Sequence, residues 1–230
     1  MARAAIVLAA ALLISAPACA GSFEVAPITL DLRPGKASLL YISNTDAAPV
    51  TVQIQAMDWK QSAGADALAP SDTLVASPPL VRIAPGERQV VRVLADAPDV
   101  DGERQYRLLL SELPESDRHG SGVRVLLQLN IPVFVSRREA LPHVTWFARA
   151  GIGVTEIFAN NDGGAAIKIA RATVSGDGAP KQDFIRQLTY LLPGTECHWL
   201  MTGHGAPWLH ITARDLRSGT PLDADVPVLR

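Results

Sequence analysis

Apolar and polar residues alternate with a period of two through most of the chain after residue 22, which is typical of β-strands and not of helices. Phe23, Val25 and, as a third candidate, Ile28 lie on one face of a predicted first strand. Further strands are predicted at residues 37–43, 50–56, 80–83, 89–94, 105–113 and 122–135. Residues 60–73 are mainly Ala, Gly, Ser and Asp, with little to bury, and are predicted to form a loop.

These strands follow one another over about 115 residues, through connections too short for parallel crossovers. The spacing therefore predicts an all-β fold and, for this part of the chain, an antiparallel two-sheet sandwich of the immunoglobulin type. Residues 137–142 are polar, end in a proline and are predicted to be a linker. They separate an N-terminal domain at 21–136 from a smaller β-domain at 143–230, where Asn-Asp-Gly-Gly at 161–164 predicts a hairpin turn.

The first 20 residues have the pattern of a cleavable export signal. Arg3 precedes an apolar run at 4–14, and Ala18 and Ala20 form an A-x-A cleavage site, so we expect cleavage after Ala20. The run is too short to span a bilayer, and no later stretch is apolar for long enough, so no membrane insertion of the mature protein is expected. A buried N-terminal helix and a lipoprotein signal that modifies Cys19 are the alternatives.

Composition and charge narrow the functional classes. A net charge of −2 gives no basis for a phosphate-binding surface, so we expect no nucleic-acid partner. A hydrophobic content of 48% is enough for a packed core. Loss of Cys19 with the signal leaves Cys197 as the single cysteine, so an intramolecular disulfide is ruled out for the exported protein.

The best candidate for catalytic or metal chemistry is Cys197-His198, with His204 and His210 nearby. These residue types could form a thiol–imidazole site or part of a metal site. The alternative is that Cys197 packs as a small hydrophobic residue in a strand. Because no recognisable catalytic, cofactor-binding or paired-cysteine motif is present, we predict no enzyme activity and no cofactor.

The strand predicted at 122–135 carries more apolar residues than one buried face requires. An unbroken stripe occupies its odd positions, which are Val123, Val125, Leu127, Leu129, Ile131, Val133 and Val135. Leu126 and Phe134 add apolar side chains to the other face, and Pro132 marks an edge strand or an irregular strand end. The strand either closes the core of its own sandwich or is there to pair with a partner by strand addition.

Five segments occur in a characteristic order, and they are Leu-Tyr-Ile-Ser-Asn at 40–44, Trp59, Ser-Pro-Pro-Leu-Val-Arg-Ile-Ala-Pro-Gly at 77–86, Tyr-Arg-Leu-Leu-Leu-Ser-Glu-Leu-Pro at 106–114, and 126–135. In their order and spacing they resemble the periplasmic pilus chaperones of the chaperone–usher pathway, the PapD-like family. The resemblance implies two immunoglobulin-like domains in a boomerang arrangement, with a subunit-binding cleft between them. It also implies that the partners are pilus subunits with incomplete immunoglobulin-like folds and an outer-membrane usher.

The resemblance further implies which residues bind a subunit. The last strand of the first domain would donate Val123, Val125, Leu127, Leu129 and Ile131 to the groove of the incomplete subunit, and Phe23 and Val25 would form the N-terminal edge strand. The function expected is a periplasmic chaperone that stabilises subunits by donor-strand complementation and delivers them to the usher. The alternative is a secreted or periplasmic β-sandwich structural or adhesin protein.

The residue that anchors the subunit's C-terminal carboxylate differs from the best-known branch of the family. That branch uses an Arg in the first strand and a Lys late in the donor strand, and those positions fall near Thr29 and at Pro132. Arg107 is the predicted anchor instead, as in the archaic branch that assembles spore-coat-U-like subunits, and Arg124 and Arg104 are further candidates. The alternative for Arg107 is a surface arginine whose stem covers apolar area.

Overall fold

The computed structural model describes residues 22–62, 64–96, 102–114, 125–176, 179–202 and 206–230. These residues form β-strands and contain no helix that could cross a membrane. The strands of the first half are β1 (Phe23–Ala26), β2 (Leu30–Leu32), β3 (Ser38–Asn44), β4 (Val50–Ser62), β5 (Ala65–Pro70), β6 (Leu74–Ser77), β7 (Leu80–Ile83), β8 (Arg88–Ala95), β9 (Glu103–Leu113) and β10 (Gln128–Ser136).

Two sheets make up the first half. One has the order β1-β3-β8-β6, and the other has the order β2-β10-β9-β4-β5 with β7 also paired to β4. Alternate residues of β3 and β8 face the opposite sheet, and Leu40, Ile42 and Val91 are fully buried there. Leu108 and Leu110 of β9 meet them from the other side, so the alternation seen in the sequence marks the two inner faces of a sandwich.

The N-terminal strand changes sheets and is shorter than predicted. β1 lies at the edge of one sheet, a cis Ala26–Pro27 peptide bond follows it, and β2 pairs in parallel with β10 of the other sheet. The placement of Ile28 on the same face as Phe23 and Val25 is wrong. Ile28 is exposed because it lies in the segment that crosses between the two sheets.

The prediction that residues 60–73 form a loop is also wrong. β4 continues to Ser62 and forms a hairpin with β5, through a turn in which Gly64 has a φ of +78°. Every side chain of β5 is exposed, so no apolar face announces this strand in the sequence. The backbone ladder between residues 57–62 and 65–70 holds it in place.

The strand predicted at 122–135 begins later than expected, at Gln128. Residues 125–127 are not in a strand, and 122–124 lie outside the described residues. Pairing with β9 ends where the Glu112 N–H donates to the Leu127 carbonyl, because β9 itself stops at Leu113. On its other side β10 pairs with β2 only at residues 133–135, so among the described strands 128–132 form a free edge that accommodates Pro132.

The second half forms a seven-stranded sheet and a two-stranded sheet. Their strand orders are β15-β14-β18-β19-β11-β12-β17 and β13-β16. The strands are β11 (Val144–Ala150), β12 (Val154–Asn161), β13 (Ile167–Ile169), β14 (Ala172–Gly176), β15 (Ala179–Ile185), β16 (Thr189–Leu191), β17 (Thr195–Thr202), β18 (Trp208–Ala213) and β19 (Ala224–Leu229). Among the described strands none of β1–β10 pairs with any of β11–β19, and the linker at 137–142 stays a prediction.

The hairpin predicted at 161–164 is not formed. β12 pairs with β11 and β17, whereas β13 pairs with β16 in the other sheet. The Asn161 side chain is buried, and its amide donates to the carbonyls of Ala165 and Leu191 at 2.8 and 3.0 Å. Its oxygen accepts from the Gly163 N–H at 3.1 Å, so the turn carries the chain from one sheet to the other.

Candidate functional site: the interdomain cleft and the free edge of β10

An aromatic cluster joins the two halves of the chain. Trp59 of β4 and Phe134 of β10 meet Tyr190 of β16, and Ala166 and Leu192 complete a group of buried residues. The Trp59 and Tyr190 rings pack edge to face with centroids 5.1 Å apart. Because both halves contribute buried side chains, the cluster acts as a small core between them.

Charged residues add a second link between the halves. The Arg217 guanidinium donates to both carboxylate oxygens of Glu103, at 3.0 and 2.7 Å, and to Asp31 at 2.9 Å. Its carbon also lies 3.6 Å from the centre of the Phe134 ring. Burial lowers the pKa of Arg217, but the hydrogen bonds to Glu103 and Asp31 outweigh burial and raise it overall. Arg217 therefore stays a cation bound across the interface.

Gln61 fixes the β4–β5 hairpin against the second half. Its side-chain oxygen accepts from the Leu192 N–H at 3.0 Å, and its amide donates to the Tyr190 carbonyl and to Asp66, both at 2.9 Å. Beside these contacts lies a cavity of about 440 Å³, which we call the interdomain cleft. Its lining includes Gln61, Asp66, Arg107, Tyr190 and Cys197.

Arg107 is the buried cation of the interdomain cleft. It is 7% exposed, so the alternative of a surface arginine is wrong. Its guanidinium carbon lies 3.5 Å from the centre of the Trp59 ring and 5.0 Å from that of Tyr190. Its Nε has no hydrogen-bond partner, and Nη2 lies 3.6 Å from an oxygen of Asp66. Burial lowers the pKa of Arg107, and Asp66 and Tyr190 partly offset that effect.

The two other candidate anchors are placed differently. Arg104 lies on the same strand as Arg107 but three residues away, so its side chain points to the opposite face of the sheet. It pairs in register with Val135 and does not line the interdomain cleft. Arg124 lies outside the described residues. Of the two candidates that the structure describes, Arg107 is therefore the one that lines the cleft.

Exposure changes steadily along the predicted donor residues. Val125 is 85% exposed, Leu127 and Leu129 are partly buried against the core of the first half, and Ile131 is buried within that core. Val123 lies outside the described residues. The side chains of the stripe therefore become less buried in the sandwich towards the N-terminal end of β10. The same end includes residues 128–132, with which no described strand other than β9 pairs.

Glu112 brings the N-terminal edge strand close to the start of β10. Its carboxylate accepts from the Ser22 hydroxyl at 2.6 Å and from the Leu127 N–H at 3.2 Å. Phe23 follows at once on β1 and is buried, while Val25 is partly buried. β1 and β10 thus begin side by side at one buried carboxylate, although they belong to different sheets.

The cysteine and histidine candidates do not form a reactive centre in the described residues. Cys197 is buried in the core of the second half, and burial raises the pKa of its thiol. His198 is exposed, His210 pairs with Asp225 at 2.6 Å, and His204 lies outside the described residues. No three potential metal-ligating side chains among the described residues group closely enough to hold an ion.

Most of the first half of the chain is similar to a known protein family. Residues 29–139 match the family model of the pili and flagellar-assembly chaperone, PapD N-terminal domain. No curated protein sequence matches the chain.

The fold of almost the whole chain matches solved structures. A chain of the CsuC–CsuE chaperone–tip adhesion subunit pre-assembly complex from the archaic Csu pili of Acinetobacter baumannii has a TM-score of 0.71 and 20% identity, with 91% of this chain and 100% of that chain covered. The Escherichia coli chaperone DraB has a TM-score of 0.62 and 16% identity, with 91% and 97% covered. A chain of the Salmonella enterica SafA pilin–SafB chaperone complex has a TM-score of 0.63 and 15% identity, with 91% and 97% covered. Residues 29–139 therefore match the PapD N-terminal-domain family of pili and flagellar-assembly chaperones, and the chain as a whole has an all-β fold of two immunoglobulin-like domains similar to that of these chaperone structures.

Proposed function

We propose that the protein is a periplasmic chaperone that holds pilus subunits by donor-strand complementation and delivers them to an outer-membrane usher. The observation that carries this proposal is the apolar stripe of Ile131, Leu129, Leu127 and Val125. It becomes more exposed towards Val125, beside the edge of β10 with which no described strand pairs. Exposed apolar strand edges are normally avoided in soluble proteins unless a partner covers them. Similar folds in the CsuC–CsuE and SafA–SafB complexes are chaperones bound to subunits, which supports the same role here.

The donor residues would supply moderate binding energy. Full burial of an aliphatic side chain contributes about 1.5–3 kcal/mol. Val125 would gain nearly all of this, whereas Leu127 and Leu129 are already partly buried and would gain about half each. The described donor residues would then supply roughly 3–6 kcal/mol before ladder hydrogen bonds are added and association entropy is subtracted.

Arg107 would bind the C-terminal carboxylate of the subunit. Its guanidinium is buried in the interdomain cleft with an unpartnered Nε, and a carboxylate could accept two parallel hydrogen bonds from it. The similarity to a chain of the archaic CsuC–CsuE complex supports assignment to the archaic branch, for which the sequence resemblance predicts Arg107 as the anchor. The proposed role is binding and not catalysis.

The proposed location is the periplasm, after cleavage behind Ala20. SfaE, another protein of similar fold, is a periplasmic chaperone, and the first 20 residues have the pattern of an export signal. N-terminal sequencing of the exported protein is expected to start at Gly21. Recovery of material that retains Arg3 would contradict the proposed cleavage.

A pull-down from periplasm tests the proposed function. We expect the tagged chaperone to recover a strand-deficient subunit in a one-to-one complex, and Val125→Asp to lose that subunit. Because Val125 is exposed, the variant is expected to keep the circular dichroism spectrum and unfolding midpoint of the wild type. Ile152→Asp is the matched control, since Ile152 is an exposed aliphatic residue of the second domain. Failure of the wild type to recover a subunit would favour the structural or adhesin alternative, and equal recovery by Val125→Asp would contradict the donor role of Val125.

A further inference from the structure

Arg107 already has a carboxylate beside it before any partner arrives. Among the described residues, Asp66 is the acidic residue that the structure pairs with it, at 3.6 Å between Nη2 and Oδ2. A charge-assisted hydrogen bond between such groups would be about 2.7–2.9 Å long. The two charges therefore attract each other, but Asp66 does not satisfy the guanidinium N–H groups.

The position of Asp66 is set by a contact other than Arg107. Its Oδ1 accepts from the Gln61 amide at 2.9 Å, and the same amide donates to the Tyr190 carbonyl. The Asp66 side chain is 46% exposed, whereas that of Arg107 is 9% exposed. A half-solvated carboxylate is thus oriented by Gln61 at the interdomain cleft, 3.6 Å from a buried cation to which it makes no hydrogen bond.

We propose that Asp66 is a built-in competitor of the carboxylate that binds Arg107, and that it sets the affinity of the interdomain cleft for carboxylates. The proposal rests on the anchor role of Arg107 in the proposed function. In the free protein Asp66 offsets part of the cost of a buried, incompletely paired guanidinium. When a second carboxylate enters, the two negative charges repel each other, so the incoming group binds less tightly than it would to Arg107 alone.

Asp66→Asn is the variant that isolates this effect. Asparagine has the same shape, and its side-chain oxygen can still accept from Gln61, but it carries no charge. A pair with one half-exposed member has a modest effect, so we expect carboxylates to bind the variant about two- to fivefold more tightly than the wild type. Asp225→Asn is the control, because it removes one negative charge from an exposed residue of β19 that does not line the cleft.

The assay needs no knowledge of the subunit. The probe is N-acetyl-Ala-Ala with a free carboxylate, titrated into the full mature protein while the Arg107 Nε–Hε signal is followed by ¹⁵N–¹H NMR. N-acetyl-Ala-Ala-amide is the matched probe without a charge and is expected to shift that signal in neither protein. Tighter binding of the carboxylate by Asp66→Asn, and unchanged binding by Asp225→Asn, would support the competitor role.

Two results would overturn the inference, and they differ in whether they also contradict the anchor role of Arg107. Equal affinities for the wild type and Asp66→Asn would remove the competitor role but leave Arg107 as a carboxylate anchor. Failure of the carboxylate peptide to shift the signal in either protein would remove the anchor role as well. Neither result affects the donor-strand proposal, which is tested separately by Val125→Asp in the pull-down.

Discussion

Arg217→Ala should destabilise the interface between the two domains far more than an ordinary surface substitution. The Glu103 side chain is 6% exposed, and its carboxylate accepts two hydrogen bonds from Arg217. Removing the cation therefore leaves a buried carboxylate without its charge partner. Breaking a buried ion pair in this way costs about 3–5 kcal/mol. Arg217 is itself 18% exposed, so water can partly replace it, and we expect about 3 kcal/mol.

The matched control is Arg171→Ala. Arg171 also makes two hydrogen bonds to one carboxylate, Asp183, but its side chain is 72% exposed, so its loss should destabilise the protein far less than the loss of Arg217. Urea unfolding followed by far-ultraviolet circular dichroism and by tryptophan fluorescence would measure both variants. Separate transitions by the two signals are expected for Arg217→Ala if the domains lose their coupling.

A second substitution tests the electrostatic origin of the effect. Glu103→Gln, added to Arg217→Ala, removes the uncompensated charge and should recover part of the lost stability. The reasoning would be refuted if Arg217→Ala cost no more than Arg171→Ala, or if the added Glu103→Gln destabilised the protein further. The first result would mean that neither the ion pair nor the contact of Arg217 with Phe134 joins the domains. The second would mean that Glu103 stabilises the protein through its other hydrogen bond, from the Ala166 N–H.

Two further predictions concern residues of the interdomain cleft. Arg107→Gln should lower subunit affinity at least about tenfold, as isothermal titration would measure. The free energy of unfolding should change by about 1 kcal/mol or less in urea, because loss of stacking on Trp59 is offset by loss of an incompletely paired buried charge. An unfolded variant would contradict the assignment of Arg107 as the anchor. Cys197 should react with a thiol reagent at pH 8 far more slowly in the native protein than in urea, because burial raises the pKa of the thiol and keeps it protonated. Folding thus favours the neutral thiol, so this contribution to stability is present below the unfolded pKa and declines as the pH rises above it. Equal labelling rates in the two states would show that Cys197 is accessible.

Sequence periodicity predicted strands well where one face is buried. β3, β8 and β9 lie between the two sheets of the first sandwich, so their alternation directly reflects burial. β5 was missed because all its side chains are exposed, and its pairing with β4 depends on backbone hydrogen bonds that leave no side-chain pattern. Periodicity thus reports burial and only indirectly reports pairing.

The candidate site was predictable in part for a related reason. An arginine next to the apolar run at 108–110 draws attention to Arg107, because a cation in such a strand requires a partner. Its neighbours Trp59, Asp66 and Tyr190 come from three other strands, two of them in the β4–β5 hairpin and one in the second domain. No spacing in the sequence brings these residues together, so the sequence could not indicate the ring contacts or the competing carboxylate.

A chaperone that hands its cargo to another protein must bind it firmly but reversibly, and two features of this structure favour reversibility. The stripe on β10 is already partly buried at Leu127 and Leu129, so a subunit gains less from covering it than from covering a fully exposed strand. Asp66 would also favour release, because it would lower the affinity of Arg107 for the subunit's carboxylate, which would always face a second negative charge. Under the proposed function, a subunit strand that fits the groove better could then displace β10 without an external source of energy. If Asp66→Asn both tightens carboxylate binding and slows transfer of a bound subunit to a competing strand peptide, the anchor and the strand act together; if transfer is unchanged, release is governed by β10 alone.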